Sequence, residues 1–418
     1  MPILFLFFLG MAQTSWGAAP VIPASEHAAI NLDSLSQWNG KVIQKITIQG
    51  LVRTHEYAVR WLTTQTEGDT FDAEIWSHGV RKLYNTQALY DIITEVKPAD
   101  GDKIELVLKI TDKWTLVPDI NIQGSQSALF WQVGAFDNNL LGNFTIISIV
   151  YGQFNGLANY DLNVSQEWIL NTDYMASIDI SQYTNTPLDA AGWTRTQQEL
   201  LIGRRFPPKI RLFAPIDFYQ DTGLETFSGQ QWAISPTFIL GRSNLTNYLE
   251  EGYEWTVATN IVNPQTTDKN YAALKTGLKL TKVVGGKSNF ALYSAVGGTL
   301  APLRSYQYYL GGYNTVRGYG TYRLIGPSFG VLNLEYRPYL WSYRSALPFL
   351  DWVVFQGCVF TDWGAVLGKG VLQTLGSVGV GLRMNFVKYA GSILRFDYAQ
   401  TLSPNEGTGF SFSIGQFF

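Results

Sequence analysis

The sequence predicts a membrane all-β fold: an antiparallel transmembrane β-barrel of about sixteen strands, preceded by one small α+β domain of β-α-α-β-β order. Three observations predict it. From Pro118 onward, segments of about ten residues alternate apolar and polar side chains, with turn residues between them and no amphipathic helix. Within those segments the less apolar face carries charges among Gly and small polar residues. Gly379, Gly381, Arg383 and Asn385 oppose Val378, Val380, Leu382 and Met384, and Arg395 and Asp397 oppose Leu394, Phe396 and Tyr398. A soluble sandwich places its polar face in bulk water and needs no such pattern, whereas a lipid-facing exterior around a wet lumen does. The third observation is a change of periodicity, because residues 41–112 mix strand and helix patterns before the alternation takes over.

Composition agrees. Charged residues make up only 15%, while the chain holds 40 Gly, 23 Tyr, 24 Phe and 13 Trp, a profile suited to Gly-punctuated strands with aromatic belts. A secreted propeller or sandwich has a similar profile, so composition alone leaves those open. With 418 residues there is room for a large closed barrel and a small domain. The single cysteine, Cys358, excludes an internal disulfide framework. A net charge of −3 with no basic block gives no electrostatic footprint for nucleic acid.

The N-terminus has an apolar stretch from Ile3 to Met11 and small residues from Gly17 to Ala19. It reads as a signal peptide over residues 1–18, although no Lys or Arg precedes the apolar run. The alternative, an anchor helix, would need about 18 apolar residues to span a bilayer. No later stretch reaches that length, so any membrane crossing must be made by a closed barrel.

Residues 19–40 are small and polar and read as a linker. In the domain at 41–112, Val42 to Gly50 alternates and places Ile46 and Ile48 on one face. Thr54 is the expected N-cap of a first helix with a buried stripe of Ala58, Trp61 and Leu62. Asp72 is the expected cap of a second helix, with a stripe of Trp76, Val80, Leu83 and Tyr84. Two strands follow: Tyr90, Ile92 and Val96 mark the first, and Ile104, Leu106, Leu108 and Ile110 the second, around a turn at Asp100-Gly101-Asp102.

The remainder, 113–418, is assigned to the barrel. A first pair, Asp119 to Gly124 and Phe130 to Phe136, leads into a short turn at Asp137-NNLLG-Asn143. Further strands are expected near 144–154, 157–169, 172–183, 192–206, 209–223, 231–243, 252–263, 270–284, 288–301, 328–340, 350–364, 375–386, 391–402 and 408–418. Their even number brings both chain ends of the barrel to the same side, and counting parity puts the long loop 302–327 at the opposite rim.

Three motifs cluster in the last hundred residues. Tyr313 to Gly320 reads YNTVRGYG, with Arg317 in a Gly-rich loop. Leu332 to Pro338 reads LNLEYRP and puts Asn333, Glu335 and Arg337 on one face. Val354 to Gly364 ends in Phe360-x-Asp362-x-Gly364, and the chain finishes on an alternating strand with a terminal Phe418. The VRGY-type loop, the F-x-D-x-G strand and the C-terminal phenylalanine, in this order, resemble the Omp85 superfamily of outer-membrane β-barrels, the insertases and secretion porins with periplasmic POTRA domains. The β-α-α-β-β segment resembles one POTRA domain by pattern; its alternative is a small αβ sandwich with no binding role.

The resemblance implies a loop folded back into the lumen. There Arg317 meets Glu335 and Asp362, Gly318 allows a tight turn, Tyr319 packs against the wall, and Val316, Phe360 and Gly364 complete the motifs. An arginine suits this place because its planar fork can bind two carboxylates and stays charged. The lock either holds the wall during client handling or only stabilises the barrel. The resemblance also implies a weak seam between first and last strands, consistent with Pro118 and Gly415 in those strands, and a role for Phe418 as an assembly signal.

Catalysis finds no support. His27, His55 and His78 all precede the barrel, and no phosphate loop, zinc spacing or nucleophile elbow occurs. The expectation is a non-enzymatic, cofactor-free insertase or translocase in a bacterial-type outer membrane, with its POTRA domain in the periplasm. Its partners are then the lipid bilayer, an unfolded or secreted polypeptide client and accessory periplasmic proteins. The alternatives are a passive or lipid-handling porin and a dedicated two-partner-type protein exporter.

Overall fold

The computed structural model describes residues 32–414, apart from 125–128, 155–156, 170–171, 186–192, 207–209, 223–228, 247, 265–269, 301–306, 322, 344–351, 369, 388, 390–392 and 404–405. The signal peptide, the first part of the 19–40 linker, Gly415 and Phe418 lie outside these residues.

Strands β1 (Val42–Gln49), β2 (Leu89–Pro98) and β3 (Lys103–Asp112) form a sheet of order β1-β3-β2. Strand β1 runs parallel to the central β3, and β2 runs antiparallel to it, so β1 and β2 are the edges. Helices α1 (Leu32–Ser36), α2 (Glu56–Leu62) and α3 (Ala73–Asn85) accompany the sheet. Trp76, Val80, Leu83 and Tyr84 of α3 share a core with Ile43, Ile46, Ile104, Leu106, Leu108 and Ile110. Each such side chain contributes about 1.5–3 kcal/mol by leaving water. The Asp72 carboxylate caps α3, accepting from the N–H groups of Glu74 (2.9 Å) and Ile75 (3.0 Å).

Three local expectations change. The end of the linker is ordered: α1 buries Leu35 in the core, and Trp38 packs against it. The N-cap of α2 is His55, which makes no side-chain cap bond. Thr54 turns instead toward the barrel junction, where its hydroxyl donates to the Asp112 carboxylate and accepts from Asn139 Nδ2 at 2.7 Å. That carboxylate also accepts from the N–H groups of Val52 and Arg53, each at 2.7 Å, and this sets how the chain enters α2. As a result Val59 joins Ala58 and Leu62 as the buried residues of α2, and Trp61 packs edge-on against Tyr57 instead.

The barrel begins with β4 (Leu116–Gly124), β5 (Leu129–Leu140), β6 (Thr145–Phe154), β7 (Leu157–Gln166) and β8 (Tyr174–Asn185). It continues through β9 (Trp193–Phe206), β10 (Ile210–Thr222), β11 (Gly229–Ile234), β12 (Thr237–Thr246), β13 (Leu249–Pro264), β14 (Tyr271–Val284) and β15 (Ser288–Thr299). After the inner hairpin β16 (Tyr308–Leu310) and β17 (Leu324–Gly326) come β18 (Ser328–Arg337), β19 (Tyr339–Tyr343), β20 (Val353–Gly368), β21 (Val371–Phe386), β22 (Ile393–Thr401) and β23 (Thr408–Ile414). The β11–β12 and β18–β19 pairs are each one strand interrupted near a proline, Pro236 and Pro338, whose missing N–H breaks the ladder. Counted so, sixteen antiparallel strands close into a barrel, with β23 pairing β4. The first strand is longer than its sequence pattern, because it includes Leu116 to Pro118.

Alternation separates two environments. Ile149, Ile178, Ile202, Leu274, Val359 and Val380 stand exposed on the outer wall. Ser181, Gln197, Asp217, Asn333 and Arg383 are buried on the inner one. An apolar exterior around a polar interior fits a barrel that spans a bilayer.

The α+β domain is docked on the end of the barrel where β5 turns into β6. The β5 strand extends through Leu140, so the turn is Leu141 to Phe144. Phe144 and Trp168, both from barrel turns, are buried in the domain's own core. The His55 N–H donates to the Gly142 carbonyl at 2.8 Å. Arg53 binds Asp137 at 2.5 Å, and Lys82 lies 3.4 Å from Asp173.

Candidate functional site

The loop between β15 and β18 begins at the rim far from the α+β domain and folds into the lumen. Its base is the β16–β17 hairpin, and Leu310, Val316 and Tyr319 bury themselves beside Phe329, Val331, Val366 and Leu375 of the wall. The Thr315 hydroxyl accepts from Gly311 N–H at 2.9 Å and tightens the turn before the motif. Apolar packing on one side and a hydroxyl-closed turn on the other aim Arg317 at the wall.

Arg317 is 2% exposed, which takes its guanidinium out of bulk water. Its Nε and Nη2 donate to the two oxygens of Asp362 at 2.7 and 2.8 Å, a bidentate pair. Its backbone N–H donates to the same carboxylate at 3.1 Å. Nη1 donates to Glu335 at 2.5 Å and to Asp397 at 3.3 Å. Phe360 lies beneath the guanidinium, 3.4 Å from ring centre to the central carbon, so the cation also stacks on an aromatic face.

Each neighbouring motif residue has a place. Gly318 adopts φ +93°, and a Cβ there would sit 3.1 Å from the Ala399 methyl, so a larger residue meets both strain and crowding. The Tyr319 hydroxyl donates to the Gly376 carbonyl at 2.8 Å and lies 2.9 Å from Ser403 Oγ. Val316 is fully buried, with Gly364 directly beneath it.

The cluster is larger than the sequence motifs. Arg383 donates to Asp397 at 2.6 Å and reaches Glu335 at 3.4 Å. Arg337 binds Glu335 at 2.6 Å, and Arg395 lies 3.4 Å from Asp397. Asn333 donates to Asp362 at 2.9 Å and to the Thr315 carbonyl at 2.6 Å. Alternation had already placed these side chains on inward faces. Their pairing depends on strand register, which opposes Asn333 to Asp362 and Arg383 to Arg395. Glu335 and Asp397 therefore each have several guanidinium partners. Among the described residues, Asp362 has only that of Arg317. Among the same residues, no group of His, Cys, Asp and Glu side chains is arranged to hold a metal ion.

The seam lies close by. Among the described residues, β23 and β4 face each other from Phe410 with Gly124 to Ser413 with Asn121. Strands β20 and β21 pair from Val353 with Phe386 to Gly368 with Val371. Pro118 of β4 pairs Ala135 on the β5 side.

The chain matches no family model and no curated protein sequence. Solved structures do share its fold. CdiB from Escherichia coli aligns over 90% of this chain and 76% of its own, with a TM-score of 0.66 and 13% identity. CdiB from Acinetobacter baumannii aligns over 90% and 74%, with a TM-score of 0.62 and 15% identity. BamA from Haemophilus ducreyi lacking POTRA domains 1–3 aligns over 90% and 84%, with a TM-score of 0.57 and 14% identity. Over 90% of its length this chain therefore has the fold of these CdiB and BamA structures, here a closed antiparallel barrel.

Proposed function

We propose that this protein sits in a bacterial-type outer membrane and helps polypeptides to insert into it or cross it. The observation that carries this reading is the closed sixteen-stranded barrel, which has the fold of the CdiB and BamA structures and closes by pairing its last strand, β23, with its first, β4. A client strand that enters at this junction exchanges backbone hydrogen bonds with β23 and β4, each contributing about 0.5–1.5 kcal/mol. The α+β domain, read as one POTRA domain in the periplasm, offers β2 as its edge for such a strand, because the outer edge of β1 is bonded at Ile43 and Ile46 to residues 67–69 and Arg60. An extended segment can add to such an edge through backbone hydrogen bonds. No covalent chemistry and no cofactor enter this reading, and accessory periplasmic proteins are its natural partners.

The reading is tested by reconstituting the protein in vesicles and timing the folding of a urea-unfolded barrel client, with and without residues 41–112. The expected result is acceleration that is lost with the domain. Leakage of small solutes without acceleration favours a passive or lipid-handling porin. Neither effect favours an exporter dedicated to one secreted partner, a reading to which the CdiB-like fold gives weight.

A further inference from the structure

The lumenal loop touches both sides of the seam. On the β23 side contact is backbone to backbone: a Cβ added at Gly409 would lie 2.9 Å from Gly318 Cα, so no side chain fits between loop and strand. On the other side the Tyr313 ring stacks on Phe130 of β5, with centroids 6.0 Å apart and planes at 22°. Phe130 pairs Gln123 of β4, next to the Gly124 that faces Phe410 across the seam. The Arg395 guanidinium of β22 lies 5.8 Å from the same Tyr313 ring, so this one side chain spans β22 to β5 on the lumenal face. The crevice left between loop tip and seam is about 10 Å³, room for one water molecule at most.

The geometry points to a clasp: the loop tip bridges the seam, with Tyr313 on the β4–β5 side and Gly318 on the β22–β23 side. Separating β23 from β4 pulls these two attachments apart, since both belong to one short turn anchored by Arg317. The seam therefore opens when the Tyr313 attachment is released, and a client that displaces this ring from the lumen opens its own entry. The proposal supplies the regulation of the site read above as a client gate and rests on that reading for its purpose. Tyr313 is accordingly a positioning residue, acting on the seam through β5.

The test reads the seam without any client. Nitroxide labels go on two lipid-facing positions, Tyr398→Cys on β22 and Val133→Cys on β5, 52% and 46% exposed, in a Cys358→Ala background. Their distance distribution is recorded in vesicles for the otherwise unchanged loop, for Tyr313→Phe and for Tyr313→Ala. Removing the ring is expected to add a longer-distance population, while Tyr313→Phe keeps the single narrow one. Identical distributions for all three, in protein that shows the gel mobility of a folded barrel, overturn the clasp. Should Tyr313→Ala not fold, Gly409→Ala takes its place: the added methyl wedges the loop away and is expected to give the same second population, and its absence overturns the clasp equally. A seam that widens in a protein without client-folding activity leaves the clasp standing and removes the insertase reading.

Discussion

At Arg317 the geometry sets an order among its three acidic partners. Glu335 keeps Arg337 and Arg383 when Arg317 is lost, and Asp397 keeps Arg383 and Arg395. Among the described residues, Asp362 keeps the Asn333 amide and the backbone N–H at position 317 but no guanidinium. Arg317→Ala is therefore expected to destabilise the barrel by about 3–5 kcal/mol, the cost of leaving a buried charge uncompensated. Double-mutant cycles read by urea unfolding are expected to show stronger coupling of Arg317 to Asp362 than to Glu335. Equal couplings contradict the assignment. Arg317→Lys should recover little, because an ammonium cannot make the two-pronged contact with Asp362 or stack on Phe360.

A second residue-scale expectation concerns Lys113, between β3 and β4 and outside the membrane-spanning strands. Burial pushes its ammonium down to about 7, with the charge of Asp91 opposing the shift. The unfolded value is about 10.4, so between about pH 7 and pH 10 the unfolded chain binds more protons than the folded one. Stability of the α+β domain is then expected to rise with pH across that window. Denaturant unfolding followed at pH 7 and pH 9 should show the rise, and Lys113→Met should remove it. A slope unchanged in the variant contradicts this account.

Among the elements, the turn between β5 and β6 ties the domain to the barrel. Phe144 adopts φ +63°, a conformation that is a strained outlier for a bulky residue, and yet is buried in the core of the α+β domain. Docking outweighs that strain. Phe144→Ala is expected to cost about 3–5 kcal/mol and to loosen the domain, read as faster hydrogen exchange at α2 and the His55 amide while the barrel amides stay protected. Exchange unchanged at His55 contradicts it.

Element by element, the strands were legible because a half-lipid, half-lumen wall imposes period-two alternation, and the gaps in it fall at the turns. The prolines at 236 and 338 interrupt strands whose pattern continues beyond them. What the sequence could not carry was pairing. Thr54 has the chemistry of a helix cap, and only the nearby carboxylate of Asp112, distant in sequence, diverts it. Asp397 reads as one more inward charge until register brings it to Arg317.

At the scale of the whole molecule, closure ties these parts together. An even strand number returns β23 to β4, the inward loop lies against that junction, and the α+β domain docks beneath the first strands. The central claim is that the seam is the client's entrance. Its most direct test is a reversible bond across it: Asn121→Cys with Ser413→Cys, which face each other on the lumenal side, in a Cys358→Ala background. Oxidised protein in vesicles is expected to lose its acceleration of client folding, and reduction is expected to restore it. Acceleration that is the same with the seam bonded and free would contradict the account.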